Sequence, residues 1–147
     1  MSESANKLID KAGQAAIVQA IQQAEKVSSG EIRVHLEDYS RGKALERAAY
    51  LFNKMGMRAT IARNGVLLYV AVKDHVLAIY GDEGIDAAVG QNFWEAEIAL
   101  MTEHFKRGDY AGGLVAAICQ VGEKLVEHFP NQGDNDQNEL SDEISFG

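Results

Sequence analysis

The chain has 147 residues, 46% of them apolar and 24% charged. That size and balance fit one globular domain and exclude wholesale disorder. Fourteen Lys and Arg against twenty-two Asp and Glu give a net charge of −8, which argues against nucleic acid as a partner, since affinity for phosphate backbones comes from clustered positive charge. A single cysteine, Cys119, rules out an intrachain disulfide and argues against a thiolate zinc cluster.

The first residues are polar, with no signal-peptide core behind them. No apolar run approaches the roughly 20 residues that span a bilayer. The expectation is a cytoplasmic protein without membrane insertion.

Apolar residues recur at three- and four-residue steps from Leu8 to Val27 and stop at Ser28-Ser29-Gly30, the signature of an amphipathic helix. Glu31 to Glu37 alternates polar and apolar, as a half-buried strand does. A second helix is predicted on Leu45, Ala48, Ala49, Phe52 and Met55, ending at Gly56. Arg58 to Arg63 is read as a short strand. Val66 to Val72 is a solid apolar run suited to a central strand covered on both faces. Lys73-Asp74-His75 turns the chain, and Val76 to Tyr80 returns as a strand ending at Gly81. Residues 92 to 106 and 110 to 128 read as two more helices, separated by Lys106 to Asp109, with Asp109 placed to cap the second. After Pro130 come five acidic residues and no basic one.

These elements divide the chain into an α/β domain, residues 1 to 130, and an acidic tail, residues 131 to 147, expected to be disordered. The order α, β, α, β, β, α, α predicts a single-domain α/β/α sandwich with a mixed sheet covered by helices. The first two long strands are parallel through a helical crossover; the third is antiparallel to the second.

In that topology the end of the third strand lies beside the beginnings of the other two. Glu31, Asn64, Asp82, Glu83 and Asp86 then gather at one rim. Hard oxygen donors crowded together suit Ca2+ or Mg2+, and glycines at 81 and 84 would let carbonyls turn inward as further ligands. The alternative is that Asp82 and Glu83 cap a following helix or face solvent. The opposite rim collects Glu37, Asp38, Asp74, His75 and Lys106 to Asp109, read as surface ion pairs. His35 is placed on a polar strand face, and Cys119 is read as a buried apolar group. No HExxH pair or phosphate-cradling glycine loop is present. Asp134 to Asn138 begins like a calcium loop but has Glu139 where glycine is required and Ser145 where a bidentate glutamate is required. Leu140, Ile144 and Phe146 in the tail could dock on a protein partner or on this protein's own surface.

The ordered series Ser29-Gly30-Glu31-Ile32-Arg33-Val34, Arg63-Asn64-Gly65-Val66-Leu67-Leu68, Asp74, the glycines around 81 to 84, and Phe105-Lys106-Arg107-Gly108-Asp109-Tyr110 resembles the TPM domain over roughly residues 6 to 130. The resemblance is to short bacterial members without signal sequence or anchor. It implies a small α/β sandwich, and for some relatives acid phosphatase activity or a divalent cation at the acidic rim. It maps the family's conserved positions onto Glu31, Asn64, Asp86 and Asp109. The family's Asp-Arg turn is Asp74-His75 here, removing a cation that could hold phosphate, and the glycine turn is one residue longer. The expected function is a divalent-cation-binding domain with a stabilising or protein-interaction role. The alternatives are a metal-dependent phosphatase and a metal-free interaction scaffold.

Overall fold

The computed structural model describes residues 7–131 and 143–147. The elements are α1 (Lys11–Val27), β1 (Glu31–Glu37), α2 (Ala44–Lys54), a 3-10 turn (Met57–Ala59), β2 (Gly65–Ala71), β3 (Val76–Gly81), α3 (Glu83–Val89), α4 (Gln91–Lys106), α5 (Tyr110–His128) and β4 (Ser145–Phe146). The sheet order is β3-β2-β1-β4. β1 and β2 run parallel, with Glu31 opposite Gly65; β2 and β3 are antiparallel, with Val66 opposite Gly81. Both relationships match the crossover argument.

Strand alternation sorts side chains onto two faces. Ile32, Val34, Leu36, Val66, Leu68 and Val70 meet α1, α4 and α5 in the larger core. Leu67, Tyr69, Ala71 and Ala78 meet Ala48, Leu51 and Phe52 of α2 in the smaller one. β2 is buried along its whole length, which is why it reads as an unbroken apolar run.

Four expectations change. Residues 58 to 63 hold no strand: Met57–Ala59 is a 3-10 turn after Gly56, whose left-handed φ of 72° ends α2. A seven-residue helix, α3, follows β3; two turns interrupted by Gly84 are too short to display helical periodicity. Cys119 is exposed, because Ile118 and Val121 take the core-facing positions of α5. β1, expected to be half-buried, is buried on both faces except for a partly exposed Arg33, so His35 is buried as well, because the face that carries it lies beside Leu67 and Tyr69 of the smaller core.

The end of the tail is also structured. Ser145 and Phe146 pair in parallel with His35 and Leu36 of β1, and Ile144 packs against the larger core. The incomplete calcium loop at 134 to 139 and Leu140 lie outside the described residues.

Candidate functional site

The predicted rim exists in the backbone. Asp82 N–H donates to the Gly65 carbonyl at 2.9 Å, and Glu31 N–H points to the Asn64 carbonyl at 3.5 Å. The side chains, however, are engaged by neighbouring protein groups. Asp82 is fully buried and accepts from Arg63 Nε at 2.8 Å, Arg63 Nη2 at 3.0 Å and Arg58 Nη1 at 2.9 Å. Its Oδ1 also accepts from Glu83 N–H at 2.8 Å, capping α3. Burial pushes the Asp82 carboxyl up, but the bonds from Arg63 and the Glu83 N–H outweigh it and hold the group below the usual carboxylate range.

Asp86 accepts from the Trp94 indole at 2.8 Å. Glu83 is exposed and pairs with Arg63 at 3.3 Å. Glu31 is buried, and so is Asn64, whose Nδ2 donates to Ser29 Oγ at 3.1 Å. Its Oδ1 has no hydrogen-bond partner among the described residues. Asp82 and Glu83 thus meet at Arg63, while Asp86 turns to Trp94 and Asn64 to Ser29, and among the described residues no three His, Cys, Asp or Glu are arranged to hold a metal ion.

Neither rim glycine turns a carbonyl inward through left-handed backbone, since among the described residues Gly42, Gly56, Gly90 and Gly108 are the glycines with positive φ. Gly81 makes room for the Trp94 ring, and Gly84 for the carbonyls of Ala62 and Arg63. The glycines serve packing.

At the opposite rim, Glu37 is buried rather than part of a surface pair. Its carboxylate accepts from Arg47 Nε and Nη2, both at 3.0 Å, and from the Tyr69 hydroxyl. His35 Nε2 lies 3.2 Å away, and His35 Nδ1 lies 2.9 Å from Ser145 Oγ. Burial pushes the His35 imidazole down and, with the Glu37 bond, the Tyr69 phenol up to about 12. Asp109 caps α5 through Gly112 N–H at 3.1 Å, as its position predicted.

A separate concavity lies elsewhere. A groove of about 690 Å³ follows the outer edge of β3. Leu77 to Gly81 form its floor, Trp94, Glu95 and Ile98 of α4 one wall, and Leu45 and Arg58 the other. Among the described residues β3 ends the sheet on this side.

A profile of the TPM domain matches residues 3–124. The chain belongs to the TPM domain family. Its fold is similar to the NMR structure of BA42 from the psychrophilic bacterium Bizionia argentinensis, at 42% identity over 95% of each chain with a TM-score of 0.87. It also resembles the N-terminal domain of a P. gingivalis protein, at 20% identity over 86% of this chain and 84% of that one, TM-score 0.71. The N-terminal domain of cg2496 from Corynebacterium glutamicum is 14% identical over 90% and 81%, TM-score 0.63. The last two show a shared fold alone. No curated protein matches the chain. No described helix of this TPM domain is long and apolar enough to cross a membrane.

The residues that sequence reasoning missed in this TPM domain are Arg58, Arg63 and Trp94. Arg63 carried a usable signal: it directly precedes Asn64, which was already assigned to the rim. Trp94 carried none, since its ring reaches Asp86 and Gly81 only through the packing of α4 beside β3.

Proposed function

We propose that this domain is a protein-interaction module whose binding face is the groove along β3. The observation that carries this reading is a concave, largely apolar surface of about 690 Å³ laid against the free edge of a sheet, a combination that suits capture of a protein segment. The acidic rim supports it, because the Asp82 charge is matched internally by two guanidiniums, leaving little field to draw a cation. Trp94 is the only tryptophan and lines the groove, so its emission reports occupancy. Random nonapeptides displayed on phage should enrich on the immobilised protein, and the winners should shift Trp94 emission. Absence of enrichment over an unrelated acidic domain would overturn the reading.

A second reading, a divalent cation at the Asn64 end of the rim, is favoured by one observation: the buried Asn64 Oδ1 has no hydrogen-bond partner among the described residues. Calcium and magnesium should then raise the melting temperature, since a ligand held only by the folded state adds to its stability. The backbone amides of Glu31 and Asn64 should move in the same titration. Unchanged melting at millimolar cation would retire this reading.

A further inference from the structure

The edge of β3 is a hydrogen-bonding surface as well as an apolar one. In an antiparallel pair, residues alternate between those that exchange bonds with the partner strand and those whose N–H and C=O point away. The bond from Asp82 N–H to the Gly65 carbonyl fixes this alternation. With Leu67 opposite Tyr80 and Tyr69 opposite Ala78, the bonds of Tyr80 and Ala78 turn inward to β2. Those of Leu77, Ile79 and Gly81 therefore face outward into the groove. Such open edges are templates for a further strand unless something blocks them.

Two features say what fits. The edge is recessed: Leu45 on the α2 side and Trp94 and Ile98 on the α4 side rise above it. A single extended chain can enter that space, whereas the sheet edge of a second copy, flanked by its own helices, would meet these walls first. The charges are one-sided. Glu83, Asp86 and Glu95 line the groove; Glu83 is paired with Arg63 and the groove's one cation among the described residues, Arg58, is engaged by Asp82, which leaves the charges of Asp86 and Glu95.

We propose that the groove takes an extended segment of another protein as a fifth strand on β3. Its apolar side chains sit at alternate positions against Leu45, Trp94 and Ile98, and a Lys or Arg faces Asp86 and Glu95. Main-chain bonds to Leu77, Ile79 and Gly81 give affinity, and the two walls read alternate side chains. This rests on the groove being the binding face proposed above and adds the mode and chemistry of its occupant.

The test uses the full chain and the enriched nonapeptides. They should show alternating apolar residues with Lys or Arg toward one end, and should shift the amides of Leu77, Ile79 and Gly81. N-methylation of the peptide at every second residue, in the frame that faces β3, should weaken binding at least tenfold; methylation in the other frame should not. Glu95→Lys, a change at an exposed position, should weaken lysine-bearing peptides about fivefold or more and leave their uncharged analogues unchanged. If peptides shift Trp94 but both methylated frames bind alike, strand addition is overturned while the groove reading stands. If Glu95→Lys has no effect on the lysine-bearing peptides, the charge assignment is overturned. If no nonapeptide enriches, both fail together.

Discussion

Arg63 holds Asp82 by two parallel hydrogen bonds, Nε to Oδ2 at 2.8 Å and Nη2 to Oδ1 at 3.0 Å. The pair joins the loop before β2 to the start of α3, and the Arg63 carbonyl closes the same junction by accepting Gly84 N–H at 2.8 Å. Arg63 adopts a left-handed φ of 53°, a conformation rarely adopted by residues other than glycine.

Arg63→Ala should therefore lower the melting temperature, because removing one partner leaves a buried carboxylate less compensated. Arg63→Lys should recover only part of the loss, since an ammonium cannot form the two-pronged contact. The folded-state pKa of Asp82 is depressed. Its contribution is thus complete above the ordinary carboxylate pKa and is lost as pH falls through the lower, folded value. Thermal melts from neutral to acid pH should show a steeper acid decline for the wild type than for Asp82→Asn.

Glu97 gives the opposite pH dependence. It is buried on α4, and burial, with the charge of Glu123 adding to it, pushes its carboxyl up to about 7. A raised carboxyl pKa stabilises fully below the ordinary value, and that contribution is lost as pH rises through about 7. Glu97→Gln should leave stability nearly unchanged in mild acid and raise it by up to about 3 kcal/mol above neutrality. Equal melting shifts at both pH values would contradict this.

Removal of residues 143 to 147 should cost about 1–2 kcal/mol, the worth of a half-buried Ile144 and a few hydrogen bonds. It also takes away the Ser145 hydroxyl that meets His35 Nδ1, so the His35 ring signals should move most. Denaturant melts and imidazole NMR together check both parts.

Gly84→Ala should cost about 1–3 kcal/mol, since a Cβ there runs into the backbone carbonyls of Ala62 and Arg63 and the rigid neighbours must shift. Gly90→Ala meets open space but carries a φ of +81° with a ψ of 167°, a region essentially confined to glycine, and should cost about 1–3 kcal/mol. Comparing their melting temperatures separates crowding from backbone strain.

Local pattern determined most of the framework. The unbroken run at 66 to 72 and the long helical periods each report how many faces of an element are covered, which is a property of a few neighbouring residues; the alternation of Glu31 to Glu37 located β1 but not its burial, since both its faces are covered. The crossover rule then turned element order into strand direction, and the rim on which Glu31, Asn64 and Asp82 lie followed from it. Tertiary structure alone decided which charges meet. Asp82 joins an arginine nineteen positions away, and Glu37 is buried with Arg47 and Tyr69, because a side chain's partner depends on its direction after packing. The docking of Ser145 and Phe146 on β1 was hidden for a related reason. A two-residue strand has no period of its own and forms only where an existing edge supplies its hydrogen bonds.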